Sequence, residues 1–476
     1  MHGSIEKGGT LYVAAAKPQG RGVFGRTKLR VSRIGVQHAL PLVAIGLRCL
    51  SASTVDLSYI LLGVYGTLGR ANVFIAYFLL WVFNMLSEGI GPAPASSVSR
   101  YAVLALVSAS IVIRAASRSR KVLSSGTVAH TSFLGGFLFL HSLFFSLSPE
   151  ISILKSLLFF TVFAGLVVTA VDSSARELRE GIHVIYFGLV LILLVSFPTA
   201  LTGLGYLRNG TGLQGVLAHP QIFGPAMALM VGWAVARALT NRGNPLFDVL
   251  IAILGLVAVY LSEARTAGAA LFLSLALAII DQLLWRGNQF GKGPRVNRGR
   301  VAKLVIGILL AAVVSGTLFD RVVVNYATKS GRREAKGAVE AFGDSRGGLV
   351  AMMMENIWAR PLVGIGFGIA SDLSSVEVER DPYLGLPLST PNEKGVLPIA
   401  VLEEVGVIGF CVVGIWAVSI FVLTRRRSIT GLVLLLITVL VNCGESMFFS
   451  PNGMGMLFML VTALFMTGLC NDDAAI

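Results

Sequence analysis

PIAVLEEVGVIGFCVVGIWAVSIFVLTRRR, residues 398–427, decides the fold class. From Pro398 to Thr424 it carries only two charges, Glu403 and Glu404, and it ends on Arg425-Arg426-Arg427. At ~1.5 Å per residue, a helix of this length crosses a hydrocarbon core ~30 Å thick. A basic cluster just past an apolar span marks its cytoplasmic end. Outward from this stretch the same pattern recurs. Apolar runs occupy residues 34–50, 55–69, 71–90, 101–116, 131–149, 151–171, 182–202, 219–240, 245–261, 264–285, 302–319, 398–424, 429–445 and 452–470. The expectation is an all-α, polytopic transmembrane helical bundle of about 12–14 spans, with one large extracytoplasmic loop containing short helices.

Composition excludes the other classes. The 476 residues are 55% hydrophobic and 13% charged, against roughly 25% charged in soluble domains. The net charge of +14 does not point to nucleic acid, because the basic residues collect in short loops between spans, as membrane topology requires. Six of them and no acid fall between Arg286 and Lys303, and Arg114, Arg118, Arg120 and Lys121 form a second group. Placing these and the Arg425–Arg427 triplet in the cytoplasm fits fourteen alternating spans with both ends of the chain inside. The four cysteines, Cys49, Cys411, Cys443 and Cys470, lie in or beside apolar runs without C-x-x-C spacing, so they read as small core residues.

The domain organisation follows. Residues 1–33, with seven Lys/Arg and one Glu, read as a basic cytoplasmic tail, 34–319 as a transmembrane bundle, 320–397 as the outer loop, 398–470 as C-terminal spans and 471–476 as a short tail. The outer loop holds 9 Lys/Arg and 10 Asp/Glu. Leu349, Met352, Met353, Ile357 and Trp358 recur in it at helical spacing, which predicts a helix ending before Pro361. Two glycine-rich phrases close it, Pro361-Leu-Val-Gly-Ile-Gly-Phe-Gly368 and Leu402-Glu-Glu-Val-Gly-Val-Ile-Gly409. Gly364, Gly366 and Gly368 lack the full dinucleotide-loop spacing, and read instead as positions of sharp turning or close backbone approach.

No H-E-x-x-H, D-x-D, G-x-x-x-x-G-K-[ST] or G-x-S-x-G occurs, and the six histidines are scattered. What remains is a set of arginines at the expected outer face. Arg208 sits in Leu207-Arg-Asn-Gly-Thr-Gly-Leu-Gln-Gly215, ahead of His219-Pro220; Arg265 sits in Leu261-Ser-Glu-Ala-Arg-Thr-Ala267; Arg346 sits in Phe342-Gly-Asp-Ser-Arg-Gly-Gly348. Guanidinium is permanently charged and binds phosphate bidentately, so such a set suits a lipid-linked pyrophosphate. The plainer alternative is that each snorkels from a helix end or pairs with Glu263 or Asp344.

Four phrases, in this order, resemble the bacterial O-antigen ligase family, which also contains related polysaccharide polymerases. They are the Arg208 phrase running to Pro220, Ser262-Glu-Ala-Arg-Thr266, the segment from Arg346 through Trp358 to Gly368, and the Leu402–Gly409 phrase with Glu404. The resemblance covers about residues 205–445 and rests on order and spacing. It implies a metal-independent, inverting glycosyltransferase of the bacterial inner membrane that needs no cofactor. Its partners would be an undecaprenyl-pyrophosphate-linked glycan donor, a glycan or glycolipid acceptor and the lipid bilayer. Arg208, Arg265 and Arg346 would bind the donor pyrophosphate, with His219 and Glu404 beside them. Ligases of this family place a loop histidine shortly before the Glu-x-Gly phrase; here the segment reads Thr390-Pro-Asn-Glu-Lys-Gly395. Glu393 or Lys394 would fill that role, Glu393 being the better base because a carboxylate can take the acceptor hydroxyl's proton. Ligase and polymerase both stay open, and a transporter or flippase of a lipid-linked sugar is the alternative class.

Overall fold

The computed structural model describes residues 36–92, 98–117, 122, 124–208, 210–240, 244–284, 299, 347–372, 379–380, 385, 387–389 and 394–467. Among them are fourteen α-helices: α1 (Val36–Leu50), α2 (Ala52–Thr67), α3 (Arg70–Met85), α4 (Val98–Ser117), α5 (Gly126–Phe145), α6 (Pro149–Asp172), α7 (Ala175–Thr199), α8 (Pro220–Thr240), α9 (Pro245–Leu261), α10 (Arg265–Leu284), α11 (Gly348–Ala359), α12 (Leu397–Arg427), α13 (Ile429–Asn442) and α14 (Gly455–Met466). Seven of these (α4 to α8, α10 and α12) are long and apolar enough to cross a membrane. The expected span 302–319, Arg346 and Glu393 lie outside the described residues. The extended structure among the described residues is slight: Glu379–Arg380 pairs antiparallel with Pro387–Ser389.

Helix ends depart from the hydropathy reading where polar side chains extend or stop a helix. α7 begins seven residues earlier than expected, because Ser174 and Glu177 form a capping box that lets the polar segment 175–181 join the helix. α12 continues through its three arginines. α13 stops at Asn442, whose Oδ1 accepts from Met447 N (2.9 Å) and Phe448 N (2.8 Å) and turns the chain.

The bundle is apolar both inside and on its flanks, unlike a water-soluble protein. Its core is apolar, with Trp81, Trp233, Tyr186, Phe159 and Phe163 buried, yet its flanks also expose Leu42 (68%), Ile113 (71%), Phe144 (70%), Phe272 (60%) and Ile415 (69%). Soluble monomers rarely leave apolar patches of that extent in water. Bilayer hydrocarbon is the solvent that suits this belt. α8 is the most buried of the seven long helices.

The two ends of the bundle differ. One end is closed by ion pairs: Arg70–Asp172 at 2.6 Å, Arg425–Asp281 at 2.6 Å, and Arg237–Asp248 at 3.2 Å with Tyr186 Oη donating to the same carboxylate. The other end carries the glycine-rich loops. They connect in sequence: residues 85–87 bond to 216–218, Leu213 to Leu261, Gly444 lies against Thr266, Phe449 packs on Phe367 at 5.5 Å, and Ile365 bonds to Leu147.

Candidate functional site

Two interlocked units occupy the loop end. The first joins the Arg208 phrase to the Arg265 phrase. After α7, a 3-10 turn (Gly203–Tyr206) leads into residues 207–208 and 210–219, and residues 211–213 lie against the α9–α10 junction. Leu213 N donates to Leu261 O (2.8 Å), and Thr211 Oγ1 donates to Glu263 Oε2 (3.3 Å). Gly212 lies against Ser262 O and Pro220 with no room for a side chain. Glu263 holds φ 53°, the one positive φ at a non-glycine residue among the described residues. Such a conformation costs roughly 1–3 kcal/mol and persists only where its surroundings enforce it. It turns the chain so that Arg265 opens α10.

Arg208 and Arg265, far apart in sequence, are therefore held by one loop-to-turn contact. The Arg208 side chain is exposed and that of Arg265 half-buried. His219 serves locally: its carbonyl accepts from Ile222 and Phe223 at the start of α8, and its Nδ1 accepts from Gln221 N at 3.0 Å.

The second unit joins the two glycine phrases, 361–368 and 402–409, and its cause is a break in α12. Gly406 adopts φ 64°, ψ −173°, an almost glycine-only conformation that interrupts the helix. Within a membrane, backbone groups freed by a break must be satisfied by protein. The 361–366 segment does this with its own backbone. Ile365 N and Gly366 N donate to Glu403 O and Glu404 O (both 2.9 Å), while Val407 N and Ile408 N donate to Pro361 O (2.9 Å) and Leu362 O (3.3 Å). The approach is too close for side chains on either partner. A Cβ at Gly406 would collide with the Leu362 carbonyl, and one at Gly364 with the backbone of Glu403 and Glu404. This is the close approach that the glycine spacing led us to expect.

Charged side chains complete the second unit. Lys394 Nζ lies 2.7 Å from Glu403 Oε2 and 3.0 Å from Glu404 Oε1, with the Lys394 and Glu403 side chains 1% and 0% exposed. Asn356 Nδ2 donates to Glu403 Oε1 (2.7 Å), Ser371 Oγ donates to Glu403 Oε2 (3.0 Å), and Gly368 N donates to Glu404 Oε2 (2.7 Å). From α6, Lys155 Nζ donates to Gly368 O (2.5 Å), and from α5, His141 Nε2–H donates to Val363 O (2.6 Å). Buried charges persist when they are paired and hydrogen-bonded in this way. Lys394 and Glu404, both candidates from the sequence, are thus engaged in holding the chain.

Glu403, Asn356, Ser371, Lys155 and Gln214 are the residues that sequence reasoning missed. Glu403 stands in the same phrase as Glu404. Asn356 faces the α12 break from α11, whose helical spacing was legible. Nothing in the sequence separates Gln214 or Lys155 from other polar residues near span ends. No family model matches the chain, and no curated protein is significantly similar to it.

Proposed function

We propose that the chain is a membrane-embedded glycosyltransferase of the O-antigen ligase or polymerase kind. It would move a glycan from an undecaprenyl-pyrophosphate carrier to an acceptor hydroxyl on the outer side of the inner membrane. The observation that carries this reading is the joining of the Arg208 and Arg265 phrases into one strained unit at the loop end of an apolar bundle, with the Arg208 guanidinium exposed. A carrier's polyprenyl tail needs hydrocarbon and its pyrophosphate needs fixed cations at the interface. In the reaction the acceptor oxygen bonds to the anomeric carbon as the carbon–oxygen bond to pyrophosphate breaks. The electron pair leaves with the carrier and the hydroxyl proton passes to a base, for which Glu393 is the candidate. A guanidinium at the leaving group gains most as charge develops there, which lowers the barrier rather than only tightening substrate binding.

The test is transfer of glycan from a purified lipid-linked donor to acceptor by purified protein in nanodiscs. Wild type is expected to transfer, and Glu393→Gln to lose about 10²-fold, a general-base magnitude. A single cysteine at 385, in a cysteine-free background, is expected to react with an impermeant maleimide on intact cells; labelling only after lysis would put the loop on the wrong side. The break in α12 favours a second reading, because transporters build ion and substrate sites from interrupted helices. Here, however, the 361–366 backbone already occupies the carbonyls of Glu403 and Glu404. Movement of lipid-linked sugar across vesicles without any transfer would establish the transporter instead.

A further inference from the structure

Arg208 is exposed at a loop tip, and a guanidinium on a wandering loop would do little for a transition state. Its backbone is nevertheless tied down by one buried side chain. Gln214, 1% exposed, accepts from Arg208 N through Oε1 at 2.8 Å and donates from Nε2 to Ser87 Oγ at 3.2 Å. The amide orientation is fixed by chemistry, since a backbone N–H requires the carbonyl oxygen opposite it. The Gln214 backbone closes the same loop, its N donating to Gly205 O (2.8 Å) and its carbonyl accepting from Leu217 N (3.1 Å).

The far end of this connection is equally fixed. Ser87 is 1% exposed and donates its own N–H to Val216 O at 2.9 Å. The segment it belongs to is pinned by Arg48, a guanidinium 2% exposed that donates to Phe83 O (3.0 Å) and Pro92 O (2.6 Å). A continuous set of bonds therefore runs from α1 through the 86–92 turn to Gln214 and on to Arg208.

We infer that Gln214 is a positioning residue for Arg208, setting where that guanidinium stands relative to the donor's leaving pyrophosphate. The inference rests on the proposed transferase reading. A Gln that only satisfied loop backbone would leave stability and activity linked. A Gln that places Arg208 acts on turnover through that one side chain, because misplacement of about 1 Å can cost on the order of 10²-fold in rate.

The experiment is a double-mutant cycle in the glycan-transfer assay, using Gln214→Leu, Arg208→Ala and the double variant, with thermal unfolding of each. Gln214→Leu is expected to lower kcat about 10-fold or more with little change in donor KM, the pattern of an interaction made in the transition state. In the Arg208→Ala background the same change is expected to cost less than about 2-fold, since coupled residues are not additive. Losses that multiply in the double variant would overturn the inference. Should Gln214→Leu fail to fold, Gln214→Met takes its place, likewise removing the acceptor for Arg208 N–H but with an unbranched apolar side chain, and the same cycle decides. Arg208→Ala with undiminished transfer would instead remove the role of Arg208 in the transferase reading, an outcome distinct from additivity.

Discussion

The two interlocked units at the loop end use charge in opposite ways. In the Arg208–Arg265 unit the contacts that hold the chain are mostly backbone bonds and a glutamine amide, and the Arg208 guanidinium remains exposed. In the Gly364–Gly406 unit the charges themselves are the fastening. Lys394, Glu403 and Glu404 are buried and matched to one another and to Asn356, Ser371 and Gly368. A charge whose partners are all protein groups is part of the frame, whereas Arg208 is held through its backbone and keeps its side chain exposed. Substitutions in the two units should therefore separate stability from turnover.

The largest effect is expected at Lys394. Lys394→Met leaves two carboxylates buried beside each other, and removing one member of a buried ionic group costs about 3–5 kcal/mol. The folded yield and Tm of the purified protein should fall sharply, while transfer per folded molecule changes little. An unchanged Tm would show that this lysine is not a fastening.

Next come Arg208→Ala and Arg265→Ala, expected to reduce transfer on the order of 10²–10³-fold, as for other transition-state donors. For the exposed Arg208 the Tm should hold. A fall in Tm in step with activity would merge the two units into one structural class.

Gly406→Ala is expected to cost somewhat less than Lys394→Met. It combines a backbone penalty of roughly 1–3 kcal/mol with overpacking against the Leu362 carbonyl. Gly364→Ala should match it, since the same contact is approached from the other side. A wild-type Tm for either would mean that the 361–366 segment does not dock as described.

The smallest effects sharpen the comparison. Arg208→Lys keeps the charge but loses the planar fork, so about a tenfold loss of transfer is expected. Arg426→Lys, at an exposed position at the opposite end, should be silent in both assays. Arg237 would serve badly as that control, because it pairs with the fully buried Asp248 and lies 4.7 Å over the Tyr186 ring.

By itself the sequence determined the membrane class, the positions of most helices and the glycine-rich phrases that meet at the loop end. Hydropathy and glycine spacing are local properties, and bilayer thickness converts the first directly into helix length. Helix ends were less legible, since capping by Ser174 and turn-making by Asn442 depend on single side chains whose role appears only in three dimensions. Only the tertiary structure decided how the phrases pair. A broken helix at Gly406 exposes backbone groups that something must satisfy, and no sequence rule says that residues 361–366, some forty positions earlier, will be what satisfies them. Which charges are buried in the frame and which stay exposed was hidden for the same reason. Lys394 and Arg208 are equally cationic in the sequence, and burial against partners brought together from distant segments is what distinguishes them.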